Sequence, residues 1–322
     1  MKWTSAFLLM FLCIYVSAQE LERADKHAHT VAFTTDYASA ARELAGAFDQ
    51  DILKVRALFK WITSHIQYDE ARLNTVLETG QRERHEFTAS SVEELAAQKK
   101  EMIETFIETT LKEKKGVCQD YAYLFQAMCS EVGLEAEFIR GFGRFSASSI
   151  GELPARANHA WNAVKIDGRW RLFDVTWSTG MGMEGGDYGD GFFMVDPEIF
   201  IMTHYPDDAR WQLLESPIDK KSFAFLPFMH ASYLKYNVLD FKPTRGKVTE
   251  DAVIELKIEL DEGQQLCVLK GGKLRSERFE ERSDDRYQLA LSDTILKGNI
   301  MVGLIDGKRI MPLVSITVLD MK

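Results

Sequence analysis

Two runs of alternating side chains, His159 to Ile166 and Arg169 to Trp177, flank the dipeptide Asp167-Gly168. A two-residue Asp-Gly loop selects a tight hairpin turn and fixes how the strands on either side pair. With Ile166 opposite Arg169, counting outward sets Trp161 opposite Asp174 and His159 opposite Thr176. Side chains alternate with a period of two, so His159 and Trp161 share a face. His159 and Asp174 are then diagonal neighbours roughly 7 to 8 Å apart at the backbone, a gap that an imidazole and a carboxylate bridge. One hairpin thus supplies a candidate base and a group to orient it. Taken alone, a structural histidine bonded to a strand aspartate fits these residues equally well.

Upstream, apolar side chains at helical spacing predict helices over 37–47 and 51–66. The polar stretch from Asn74 to His85 reads as loop, and Ser91 with Glu94 has capping-box spacing for a helix reaching Leu111. After the basic tract Lys112, Lys114, Lys115, a helix begins at or beside Cys118, with Ala122, Phe125, Cys129 and Val132 on one face and Gly133 as its stop. A strand is expected from Leu134 to Gly141, and a glycine-rich loop over 178–191. From about Val238 onward, short apolar runs separated by turn residues predict an antiparallel β-sandwich.

The 322 residues, 46% hydrophobic and 27% charged, are enough for two folded domains. A net charge of -10 removes the electrostatic footprint of a general nucleic-acid binder and any strong pull toward anionic membranes. Lys2, the apolar stretch Ala6 to Val16 and the small residues Ser17 and Ala18 have the three-part layout of a secretory leader cleaved after Ala18. The expected organisation is a leader over 1–18, a first domain with N-terminal helices over 19–230 and a sandwich over 231–322, in an extracytoplasmic protein without an integral membrane segment. Of Cys13, Cys118, Cys129 and Cys267, three remain after cleavage, and an odd count leaves at least one thiol free or paired with another chain.

Cys118 stands at the start of a helix, where unpaired N–H groups, the helix dipole and Lys114 and Lys115 favour a thiolate. Cys129, on the apolar face of the same helix, fits the commoner role of a small buried hydrophobe. The segments Gly116-Val117-Cys118-Gln119-Asp120-Tyr121-Ala122, Asn158-His159-Ala160-Trp161-Asn162-Ala163-Val164 and Trp170-Arg171-Leu172-Phe173-Asp174-Val175-Thr176-Trp177 resemble the three motif blocks of the transglutaminase-like superfamily. Phe59-Lys60-Trp61-Ile62 and Ile66-Gln67-Tyr68-Asp69 are similar to the helix that precedes its core. Phe193-Met194-Val195-Asp196-Pro197, His204-Tyr205-Pro206 and Trp211-Gln212-Leu213-Leu214 resemble the branch that includes kyphoscoliosis peptidase. The resemblance covers about residues 50–215.

It implies an α+β architecture, with a papain-like transglutaminase core followed by the antiparallel β-sandwich, and a triad of Cys118, His159 and Asp174. The implied chemistry is attack on a protein or peptide amide through an acyl-enzyme, by hydrolysis, deamidation or transglutamination, without cofactor or metal. The alternative is a catalytically silent peptide-binding or scaffold protein on the same fold. Trp61 and Tyr68 are left to the core. Gly180-Met181-Gly182-Met183-Glu184-Gly185 matches a dinucleotide fingerprint but lacks the helix that such a site needs, and is read as a loop beside the cleft. Asp187 and Asp190 are read as solvated; Asp25, His27 and His29 as a solvated tail; His204 and His230 as lacking partners at ligand spacing; Arg140, Arg144 and Arg156 as exposed residues bordering the cleft.

Overall fold

The computed structural model describes residues 16–79, 87–152, 155–180, 190–293 and 296–320. Ser17 opens the first helix. Its Oγ accepts the Glu20 N–H at 3.3 Å and the Glu20 carboxylate takes the Ser17 N–H at 2.9 Å, so two otherwise orphaned donors are satisfied reciprocally. Helices α1 (Ala18–Thr30), α2 (Tyr37–Gly46) and α3 (Asp51–His65) follow, and α1 packs on α3 through the buried Ala24 and Ala28. The segment expected as a solvated tail is therefore a docked helix. Asp25 explains why: its carboxylate takes Arg56 Nε and Nη2 of α3 at 2.5 and 2.7 Å. The boundary expected after Ala18 falls on the first residue of α1, and the apolar leader stretch with Cys13 lies almost wholly outside the described residues.

The expected loop from Asn74 is helical at its start. Helix α4 (Glu70–Thr79) begins because Asp69 caps it, its carboxylate taking the Arg72 N–H at 3.0 Å. Residues 80–86 lie outside the description. Helix α5 (Val92–Glu113) starts at Ser91 as expected, though the Glu94 carboxylate reaches the Ser90 N–H, at 2.7 Å. It ends on Lys114 in the left-handed conformation, at φ 53°. Helix α6 (Cys118–Glu131) begins at Cys118 itself. At its far end Leu134 N–H bonds Cys129 O at 3.0 Å and Gly133 N–H bonds Ser130 O at 3.1 Å, with Gly133 at φ 79°. That is a Schellman stop, so Leu134 belongs to the cap and the next strand starts two residues later than expected.

Short strands β1 (Gln67–Tyr68) and β2 (Lys115–Gly116) pair in parallel just before Cys118. The core sheet contains β3 (Ala136–Gly143), β4 (His159–Ile166), β5 (Arg169–Phe173), β6 (Phe193–Val195) and β7 (His204–Pro206), in the antiparallel order β6-β5-β4-β3-β7. Ile166 pairs with Arg169 and Asn162 with Phe173, which is the register that the Asp167-Gly168 turn predicts. The second strand of the hairpin stops at Phe173, short of the expected Trp177. Asp174 leaves the ladder because its N–H bonds Phe192 O at 3.0 Å and its side chain receives the Trp177 N–H.

Two further sheets complete the described chain. One contains β8 (Phe228–Met229), β10 (Lys247–Thr249), β12 (Gln265–Lys270), β13 (Lys273–Leu274), β16 (Gly298–Asp306) and β17 (Arg309–Leu319); the other contains β9 (Asp240–Lys242), β11 (Val253–Lys257), β14 (Glu280–Glu281) and β15 (Arg286–Ala290). Ile254 and Leu256 of one sheet share a buried cluster with Val302, Leu304 and Val314 of the other, which is sandwich packing. The pairing departs from all-antiparallel at one edge, where β10 runs parallel to β17. The same cluster includes Ile139, Trp161 and Leu172 of the core sheet, and β8 pairs with β17, so apolar packing continues from the core sheet into the sandwich.

Gly141 of β3 lies between His159 of β4 and Pro206 of β7. A Cβ there would collide with the Tyr205 carbonyl oxygen and come within 2.5 Å of the Trp161 ring. Gly133, by contrast, has open space and only its positive φ to maintain. Gly141→Ala is expected to cost about 1–3 kcal/mol by overpacking and to loosen β7, whereas Gly133→Ala costs about 1 kcal/mol from backbone strain alone. Denaturant unfolding, with His204 exchange as a reporter on β7, checks this. A perturbed β7 in Gly133→Ala and an intact one in Gly141→Ala would reverse the assignment.

Candidate active site

The juxtaposition of Cys118 and His159 begins with a third residue. Asn162 of β4 donates its Nδ2 to Ala122 O of α6 at 2.9 Å and to Glu137 O of β3 at 3.2 Å. From that latch Cys118 is one helical turn back, about 6 Å, and His159 three strand residues back, about 10 Å. Both therefore stand at the ends of their elements. Tyr121 ties the same helix to α3, its hydroxyl donating to Ile66 O at 2.8 Å. Asn158 clamps the approach to His159, accepting the Gly143 N–H at 2.7 Å and donating to Gly143 O at 3.0 Å. Cys118 is half-buried and lies beside the His159 ring, whose pKa it helps to raise. At the same helix start the Asp120 carboxylate takes the Val117 N–H at 2.8 Å and pairs with Arg72 at 2.5 Å. The Cys118 N–H, in the first turn, has no acceptor within its own helix.

Asp174 is fully buried and its oxygens are divided among three donors. His159 Nε2 lies 2.5 Å from Oδ2, His204 Nε2 lies 2.9 Å from the same oxygen, and the Trp177 N–H reaches Oδ1 at 2.9 Å. With Nε2 committed to Asp174, Nδ1 is the His159 nitrogen left for Cys118. Burial alone would push the His159 pKa down, but the Asp174 carboxylate and Cys118 outweigh it and raise it to about 10. Burial would likewise push Asp174 up, yet His159 and His204 hold its carboxyl far below the ordinary carboxylate range. Trp177 stacks on the His159 ring at 5.0 Å, and Phe145 meets both rings edge-on, at 5.8 Å from His159 and 5.4 Å from Trp177.

His204 is the residue that sequence reasoning passed over. The sequence shows no partner for it at ligand spacing; in the structure it is buried, bonded to Asp174 through Nε2 and to Thr203 Oγ1 through Nδ1, at 2.8 Å. The only sequence signal was its place in His204-Tyr205-Pro206. His230 is also buried and partnered, with Ser315 Oγ 2.8 Å from its Nε2. Burial, with Cys118 and Asp174 nearby, raises the Tyr68 phenol pKa, while Trp61 is core, donating Nε1 to Val31 O at 3.2 Å. Lys114, expected to charge the cysteine's surroundings, has its Nζ 4.0 Å over the Phe33 ring.

Several other expectations are corrected. Asp190 is not solvated: Lys60 Nζ lies 2.8 Å from its Oδ1, and Arg56 pairs with its other oxygen. Arg144 is buried rather than exposed, donating to Met202 O, Leu226 O and Pro227 O at 3.2, 3.0 and 3.0 Å, while Arg140 is exposed and pairs with Asp207 at 2.9 Å. Residues 181–189, which hold most of the glycine-rich match and Asp187, lie outside the described residues. Cys118, Cys129 and Cys267 are all free thiols. His159, Asp174 and His204 bring their donor atoms within 4.8 Å of one another. They form a hydrogen-bonded trio: an Nε2 to Oδ2 separation of 2.5 Å is hydrogen-bond contact, shorter than the roughly 3.3 Å between ligand atoms that each lie about 2 Å from a tetrahedral ion.

Parts of the chain are similar to known proteins. Human kyphoscoliosis peptidase is 26% identical over 71% of this chain and 32% of its own length, and Hillarin from Drosophila melanogaster is 26% identical over 80% of this chain and 31% of its own. The chain thus spans about a third of the length of these relatives. A solved TGase structure is 17% identical over 52% of this chain and 35% of its own, with a TM-score of 0.29. Residues 75–175, which include Cys118, His159 and Asp174, match the model of the transglutaminase-like superfamily, and the chain therefore carries a transglutaminase-like core.

Proposed function

We propose that this chain is a thiol enzyme that attacks protein or peptide amides, with Cys118 as nucleophile, His159 as proton carrier and Asp174 as the group that orients it. The observation that carries this reading is the His159 ring, fixed through Nε2 by a buried carboxylate and lying beside a cysteine at a helix N-terminus. The Cys118 thiolate adds to the amide carbon, and the Cys118 N–H is a donor to the oxyanion that forms. His159 passes its proton to the departing nitrogen as the C–N bond breaks, which leaves a thioester on Cys118. The neutral imidazole then takes a proton from water or from an amine as that molecule attacks the thioester, regenerating thiolate and imidazolium. Water gives hydrolysis or deamidation and a primary amine gives acyl transfer. Phe145, partly exposed beside His159 and Trp177, offers an apolar wall to the bound peptide.

The apolar stretch after Lys2, followed by Ser17 and Ala18, supports an extracytoplasmic site of action after leader removal. Burial pushes the Cys267 pKa up to about 11 and raises that of Cys129 further, so neither competes with Cys118 for an electrophile.

Iodoacetamide at neutral pH is expected to label Cys118 at least about tenfold faster than a free thiol, and more slowly in His159→Ala. Equal rates for Cys118 and free thiol would remove the nucleophile from the account. Incubation with a peptide library, with and without a primary amine, is expected to give cleavage, deamidation or an amine adduct by mass spectrometry. All of these should disappear in Cys118→Ala and fall about 10²- to 10⁴-fold in Asp174→Asn. Turnover should decline as pH rises toward the His159 pKa of about 10, because the leaving nitrogen then loses its proton donor. Products that persist in Cys118→Ala would refute the proposal.

A further inference from the structure

We propose that His204 is a positioning residue for this site: by donating to the same Asp174 oxygen as His159, it fixes the carboxylate and limits how tightly that carboxylate holds the His159 proton. The catalytic consequence rests on the reading given under Proposed function; the hydrogen-bond geometry does not.

The tautomer of His204 follows from its two partners. An ionised carboxylate only accepts, so the nitrogen 2.9 Å from Asp174 Oδ2, Nε2, carries a proton. Nδ1 then accepts, and Thr203 Oγ1 at 2.8 Å is its donor, because the alternative acceptor for that hydroxyl, Phe200 O, is farther at 3.3 Å. Burial pushes the His204 pKa down to about 4, with the nearby charge of His159 adding to the effect, so at neutral pH the ring is an uncharged donor. Packing alone does not account for an imidazole here. The ring stacks on Phe200 at 4.0 Å and lies 4.3 Å from Trp177 and 5.0 Å from Trp161, a cage that phenylalanine would also fill. What phenylalanine cannot supply is the N–H to Asp174.

The cage is held from outside. Arg144 donates its backbone N–H to Thr203 O at 2.9 Å and its guanidinium to Met202 O, which sets the path of the chain into β7. The ionisable groups facing the two rings are Asp174 after β5 and, at His159, Cys118 from α6; Tyr68 from β1 is coupled to Cys118 and Asp174, and Arg144 reaches the backbone beside Thr203. In this setting a second donor on Oδ2 draws off part of the negative potential that stabilises the His159 imidazolium. The dipole of that N–H also points its positive end toward the imidazolium. His159 therefore releases its proton to the leaving group more readily than it would beside a carboxylate of its own.

The test is the titration of His159 in the full chain, followed by imidazole NMR. His204→Phe, which keeps the ring in its cage and removes the donor, is expected to raise the His159 midpoint by about half a pH unit to one. His204→Gln, which retains an N–H at the Nε2 position, should restore most of the wild-type value. The kcat of any amide turnover should follow the same order, with KM little changed. A His159 midpoint in folded His204→Phe that is unchanged or lower would overturn the proposal. If His204→Phe does not fold, Thr203→Val decides: loss of the hydroxyl that fixes the tautomer should shift the midpoint in the same direction by a smaller amount, and no shift overturns the inference. Because the titration needs no substrate, it decides the role of His204 even if no amide is turned over.

Discussion

An ionised carboxylate with no exposure to water costs several kcal/mol unless its lone pairs are met by donors. Asp174 is in that position, and the site is arranged around meeting the requirement. Two imidazole N–H groups converge on one oxygen and a backbone N–H on the other. The donors come from β4, β7 and the turn after β5, so satisfying one side chain fixes three chain segments relative to each other. The same electrostatics hold His159 protonated beside Cys118, which joins the stability of the buried cluster to the chemistry proposed for the thiol.

The rest of the core sheet serves that convergence. The Asp167-Gly168 turn fixes the register of β4 and β5, and Gly141 lets β7 approach β3 closely enough for His204 to enter. Asn162 locks α6 onto β4, so the helix start and the strand start arrive at a common place. None of these residues touches the sulfur. Each removes a freedom that would otherwise separate Cys118 from His159.

What the amino-acid sequence revealed and what it hid follow a physical division. The hairpin register, the start of α6 and its Gly133 stop were legible because turn and cap chemistry acts over a few residues. So was the nearness of His159 and Asp174, although Asp174 reaches the ring from just beyond the ladder rather than from a place on the strand. His204 was not, since it lies 30 residues from Asp174 on an edge strand, a separation that no spacing rule describes. Arg144 looked exposed because an arginine with no nearby acid gives no hint that backbone carbonyls will enclose it. Asp25 and Asp190 looked solvated because their common partner, Arg56, becomes a neighbour only when α1 and the segment before β6 meet on α3. The α4 helix was missed through a single short-range feature, the Asp69 cap.

The account depends on Asp174 being charged inside the protein, and the most direct measurement is the carbon-13 resonance of its carboxyl as the pH is lowered. With His159 and His204 bonded to it, the carboxyl should remain ionised well below the ordinary range of an aspartate, giving up its charge only when the chain unfolds. A simple titration in the folded protein with a midpoint near about 4 would show that the carboxylate is not held by these donors and would contradict the account.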